Sequence, residues 1–94
     1  DAELYREKRD FLYKELTRIG YSLVKPQGAF YFFPKSPIQD ELAFIKKLAD
    51  KRVLVVPGRG FGSPGYFRIS YCVTDKVLEG SIAGFEKAFN EAHE

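Results

Sequence analysis

The segment Tyr66–Val73, YFRISYCV, constrains this chain more than any other stretch. Its residues alternate strictly. Phe67, Ile69, Tyr71 and Val73 share one face of a strand, and Tyr66, Arg68, Ser70 and Cys72 share the other. The first face is wholly apolar and has to pack on a core. The second mixes polar and charged groups, so it looks to solvent or into a site. A slip of one residue would bury Arg68 and expose Phe67, so this segment fixes which side of the sheet is covered. Phe67, Ile69 and Tyr71 are therefore expected against the first and last helices, with Arg68 and Ser70 pointing away.

The rest of the chain supplies the other elements. Ala2–Ile19 has a helical pattern, with Leu4, Phe11, Leu12, Leu16 and Ile19 on one side. Gly20 ends it. Tyr21–Val24 and Ala29–Phe33 read as a hairpin around the turn signal Lys25-Pro26-Gln27-Gly28. Asp40–Lys51 is a second helix with Leu42, Ile45, Leu48 and Ala49 as its buried stripe. Asp40 and Glu41 suit its N-terminal dipole. Val53–Val56 is a strand ended by Pro57-Gly58. After Tyr66–Val73, Thr74 is the N-cap of a last helix whose apolar side carries Val77, Leu78, Ile82, Phe85 and Phe89. Gly80 and Gly84 weaken that helix by roughly 1 kcal/mol each relative to Ala, which suggests a close approach of another backbone. The order is αββαββα. An α+β two-layer domain follows, a small sheet with helices mainly on one face.

Ninety-four residues make a single domain, 1–94. Nine Phe and six Tyr supply the large buried areas that so short a chain needs. A net charge of +2 is too small to argue for nucleic acid or a membrane surface. Lone Cys72 excludes an internal disulfide and makes the reducing cytoplasm the default setting. No apolar run is long enough to span a bilayer. The chain has no methionine and opens directly on a helical pattern, which reads as a piece cut from a longer protein.

Several motifs have a plain reading and a functional one. Gly60-Phe61-Gly62-Ser63-Pro64-Gly65 matches G-x-G-x-x-G, but a dinucleotide fingerprint needs a helix immediately afterwards. A strand follows here, so the glycines read as a tight irregular connection. Gln27–Phe33 has the aromatic density of RNA-binding platforms. It lacks their leading basic residue and the aromatic two places later. His93, next to the last residue, is expected to fray and has no metal partners in sequence. With no other histidine, no Ser-His-Asp or Cys-His arrangement can be assembled. Arg68 remains. It either faces water on a half-covered strand or offers its planar fork to a carboxylate.

Read in order, several stretches resemble the C-terminal small domain of a class I aminotransferase, of the aspartate aminotransferase type and fold type I. They are Pro26-Gln27-Gly28-Ala29-Phe30-Tyr31, Val53–Gly58, Phe61-Gly62 and Gly65–Tyr71. The resemblance runs over essentially the whole chain. It implies amino-group transfer between an α-amino acid and a 2-oxo acid, with pyridoxal phosphate as cofactor, in a homodimeric, cytoplasmic parent. It implies that Arg68 holds the substrate α-carboxylate and that Phe30 is an aromatic near the substrate side of the cleft. The Schiff-base lysine, the partner of the pyridinium nitrogen and the phosphate-binding residues of that family belong to a large domain absent from these 94 residues. The resemblance thus implies one wall of an active site, with no catalytic or cofactor-binding residue on this chain, no metal, and no activity alone. The rival readings are a complete small enzyme, against which the missing nucleophile and base argue, and a free-standing ligand- or nucleic-acid-binding α+β module.

Overall fold

The computed structural model describes residues 2–23, 31–70 and 74–94. Among these residues, three helices and three short strands are set around an aromatic core. They are α1 (Ala2–Ile19), β1 (Tyr31–Phe32), α2 (Glu41–Asp50), β2 (Val56–Pro57), β3 (Phe67–Ser70) and α3 (Asp75–Ala92). A short 3-10 turn, Gly58–Phe61, lies between β2 and β3. The strand order is β1-β3-β2. Both pairings are antiparallel, with Tyr31 opposite Ser70, Phe32 opposite Ile69, Val56 opposite Arg68 and Pro57 opposite Phe67.

The alternation in β3 is the one expected. Phe67 and Ile69 are buried, Arg68 is half-buried and Ser70 is exposed. Tyr71 lies outside the described residues. Phe67 packs on Phe44 of α2 and on Tyr21, with ring centroids at 5.7 and 6.1 Å. Phe32 in the neighbouring strand stacks with Tyr13 of α1. The helices thus cover one face of the sheet. On the other face Tyr31, Phe33, Tyr66 and Val56 keep large apolar surfaces exposed.

Helix boundaries follow their caps. Tyr21 N–H donates to the Leu16 carbonyl as α1 ends at Gly20. The side chains of Asp40 and Thr74 accept from Leu42 N and Val77 N, so each is an N-cap. The helix expected to begin at Asp40 therefore begins one residue later.

Five expectations need correction. Tyr21–Leu23 forms no strand, and Val24 and the turn after it lie outside the described residues. Tyr21 is instead anchored by its side chain, and the segment meets its neighbour through one bond, Lys35 N to Ser22 O at 2.9 Å. Val53–Val55 is not strand either. Val53 N–H is taken by the Leu48 carbonyl at the end of α2, and Leu54 is 85% exposed. Pairing is confined to Val56–Pro57 at the sheet edge, where a proline without an N–H is tolerated. The buried stripe of α2 is Glu41, Phe44 and Leu48, whereas Leu42 and Ala49 face outward. A spacing of three and four from Phe44 defines that stripe. In α1, Leu12 and Leu16 are fully buried, but Leu4 and Phe11 stay exposed beside the start of α3. Val77 of α3 is likewise exposed.

The two glycines of α3 have different roles. A Cβ at Gly84 would lie 2.6 Å from Cγ2 of buried Val53, a stiff β-branched side chain with little room to yield. At Gly80 a Cβ would meet nothing within 4 Å. Gly80→Ala should therefore stabilise the chain by up to about 1 kcal/mol through helix propensity. Gly84→Ala should destabilise it by about 1–3 kcal/mol through overpacking. Urea unfolding of the two variants checks the contrast. Equal shifts of the same sign would place Gly84 away from Val53.

Candidate functional site

Arg68 sits in the middle of β3, the central strand, on the face that the helices leave open. Its Cζ lies 4.5 Å from the centroid of Phe61 and 4.8 Å from that of Tyr31. Phe33 contacts both rings edge-on, at 5.9 Å from Tyr31 and 6.2 Å from Phe61. The guanidinium is thus held by ring faces, which attract a cation without consuming its N–H donors. Among the described residues no carboxylate lies within ion-pair distance of it. A planar cation positioned this way can present two parallel donors to a carboxylate from outside the chain.

The loop that brings Phe61 to Arg68 is tightly built. Gly58 N–H donates to the Tyr66 carbonyl at 2.8 Å, and Ser63 N–H to the Gly58 carbonyl at 2.9 Å. A Cβ at Gly58 would collide with the backbone oxygens of Ser63 and Tyr66. Gly62 and Gly65 take φ of +77° and +88°, conformations that other residues adopt only with strain. The glycines of Gly60–Gly65 therefore shape a turn, and β3 rather than a helix follows them.

A carboxylate pins this loop from behind. Glu41, in the first turn of α2, is 0% exposed. Its Oε2 accepts from Arg59 N at 2.9 Å and Arg59 Nε at 3.2 Å. Its Oε1 accepts from Arg59 Nη2 at 2.9 Å and Gly65 N at 3.2 Å. Arg59 also reaches Asp40, Nη2 to Oδ1, at 2.8 Å. Bonds from the Arg59 side chain, then from the Arg59 and Gly65 backbone, hold the Glu41 carboxyl down to about 2 despite its burial.

Sequence reasoning singled out Arg68 and missed the residues around it. Tyr31, Phe33 and Phe61 passed as core or loop aromatics. Nothing in the local sequence distinguishes Arg59, and Glu41 reads there as a partner of the helix dipole. One signal was available: Glu41 stands at three and seven residues before Phe44 and Leu48, on the buried stripe, where a charge requires a partner. Phe30 lies outside the described residues. His93, expected at a frayed end, lies against the last turn of α3. Its ring lies 4.3 Å from that of Phe89, and its Nδ1 is 2.8 Å from the Phe89 carbonyl.

The comparisons with known proteins settle the family. Residues 1–84 match the family described as aminotransferase class I and II. The chain belongs to the class I and II aminotransferases. It is 37% identical over 92 residues to the aspartate/prephenate aminotransferase of Thermus thermophilus, covering 96% of this chain and 24% of that protein. It is 38% identical over 100 residues to the aspartate aminotransferase of Bacillus subtilis, covering 97% and 25%. The crystal structure of an amino transferase from Eubacterium rectale superposes with a TM-score of 0.95 at 46% identity, over 100% of this chain and 24% of that one. The chain thus spans about a quarter of the length of the curated aminotransferases it matches. Among the described residues no helix is long and apolar enough to cross a membrane.

The Glu41 geometry gives a pH dependence with a definite sign. The folded carboxyl titrates at about 2, below its ordinary 4.5. Its contribution to stability is therefore complete above pH 4.5 and is lost as pH falls toward about 2. Urea midpoints of the chain and of Glu41→Gln should differ most above pH 4.5 and converge below it. A constant difference across that window would mean that the carboxylate charge does not hold the loop.

Proposed function

We propose that this chain is the C-terminal small domain of a longer aminotransferase and forms the wall of its active site that holds the substrate α-carboxylate. Arg68 is the residue assigned to that task. The observation that carries the reading is its guanidinium, set against Phe61 and Tyr31 on the uncovered sheet face with no carboxylate partner among the described residues. Phe30 is assigned to the same wall from the resemblance alone. The reaction is amino-group transfer between an α-amino acid and a 2-oxo acid. We read the parent as a homodimeric enzyme, and the lone Cys72 suits a reducing cytoplasm.

Aminotransferases of this class imply pyridoxal phosphate, and the described residues do not fit its binding. No lysine among them is buried. Lys51 gives its Nζ to Glu91 at 2.8 Å, and Lys47 approaches the same carboxylate at 3.7 Å. A Schiff-base lysine has to be desolvated or set beside another cation. We therefore assign the cofactor set to the remainder of the parent and inactivity to this chain alone. Mixing the purified chain with pyridoxal phosphate should give no stoichiometric Schiff-base absorption that survives gel filtration. A stable band would contradict this assignment.

In the parent, the contribution of Arg68 is orientation. A carboxylate held by two parallel N–H bonds cannot swivel, so the bond to be broken at Cα is presented in one direction. A separate small domain carrying that contact can close on its substrate. Arg68→Ala in the full-length protein should lower kcat/KM for an α-amino acid by about 10²–10⁴, the value of two charge-assisted hydrogen bonds. Arg68→Lys should recover part of this, since it keeps the charge and loses the fork. A primary amine without the α-carboxylate should be nearly indifferent to either change. Native turnover of α-amino acids by Arg68→Ala would remove the carboxylate role.

A further inference from the structure

We infer that Arg59 and Glu41 are positioning residues for Arg68, fixing through Phe61 the direction in which its guanidinium meets a substrate carboxylate. This rests on the proposed role of Arg68. The connection is continuous in the structure. Both Glu41 oxygens are taken up, and their bonds reach residue 59 at one end of the loop and residue 65 at the other. Phe61 lies between those two anchors. Its ring is 4.5 Å from the Arg68 Cζ, and Phe33 supports it from the side.

The arrangement goes further than closing a turn. The turn already has its own backbone bonds among Gly58, Ser63 and Tyr66. Those bonds do not reach α2. The Glu41 carboxylate, buried at the first turn of α2, ties the whole loop to a helix whose Phe44 packs on Phe67 of β3. Phe67 is the residue immediately before Arg68 in that strand. Loop and strand are thereby referenced to the same helix, one on each side of the guanidinium. Loss of the Arg59 side chain removes two of the four bonds to Glu41 and leaves only the backbone N–H groups of residues 59 and 65, so the loop is held less firmly to α2 and the ring of Phe61 gains freedom to shift from the arginine.

The consequence is selective. A misplacement of about 1 Å at a binding fork costs on the order of 10- to 100-fold in rate. It does so only for substrates that use the fork. The test uses the full-length protein with an α-amino acid and with a primary amine of the same side chain lacking the carboxylate. For Arg59→Ala, the ratio of kcat/KM on the amino acid to that on the amine should fall about 10-fold or more. The loss should appear in kcat for the amino acid, because orientation is what is lost. Arg59→Lys should recover part of it. Glu41→Gln provides a second route to the same result should Arg59→Ala perturb folding, which circular dichroism reports.

The double variant separates this inference from the reading beneath it. In an Arg68→Ala background, Arg59→Ala should have no further effect on the ratio, because the group it positions is gone. An equal loss on both substrates, or a further fall of the ratio in the Arg68→Ala background, would overturn the positioning role while leaving Arg68 as the carboxylate ligand. If Arg68→Ala alone leaves the ratio unchanged, the carboxylate reading itself fails.

Discussion

The ring of Tyr21 is where the layers of this domain meet. It lies edge-on to Phe44 of α2, Phe67 of β3 and Phe85 of α3, with centroids 6.0–6.1 Å away, and tilts against Phe89 at 4.9 Å. Each such pair adds about 0.5–1.5 kcal/mol beyond the area it buries. The hydroxyl donates to the Phe85 carbonyl at 2.7 Å, so the one polar atom in the cluster is satisfied. Burial pushes the phenol well above its ordinary range. With three short strands among the described residues, the domain relies on this cluster to orient its helices.

With the core set on one face, the opposite face of the sheet is left to other uses. Tyr31, Phe33, Tyr66 and Val56 cover it incompletely, and Arg68 lies among them. An arginine there is easier to hold than to bury. Aromatic faces fix its plane while water or a ligand takes its N–H groups. The loop from Gly58 to Gly65 completes the setting, and the buried Glu41 carboxylate connects that loop to the core. Removing Arg59 would leave the buried Glu41 carboxylate with backbone N–H partners alone, whereas Arg59, half exposed, can turn to solvent when Glu41 is lost.

Much of this was legible in the sequence, and the reasons differ by element. The alternation of Tyr66–Ser70 stated both the covered face and the side on which Arg68 lies, because a period of two leaves one register. Thr74 announced α3 through its capping chemistry, whereas Asp40, legible only as a favourable charge in the first turn of α2, is the N-cap of that helix. Strand length was less visible. Val53–Val56 is β-prone throughout, yet the end of α2 claims the Val53 N–H and only Val56 and Pro57 pair. Tyr21 reads locally as strand because its role is set by four rings distant in sequence. The site around Arg68 was hidden for the same reason. Phe61 and Tyr31 are 30 residues apart and meet only across the sheet, while the match of Glu41 to Arg59 spans 18 positions. A charged residue on a buried helical stripe was the single local clue.

The proposed function depends on one contact, between Arg68 and a substrate carboxylate. A crystal structure of the full-length protein with a 2-oxo acid bound tests it most directly. Two roughly parallel N–H bonds from the Arg68 guanidinium to the α-carboxylate are expected, at about 2.7–2.9 Å, with Phe61 and Tyr31 still against the arginine. A carboxylate held by other residues, with Arg68 turned to solvent, would contradict it.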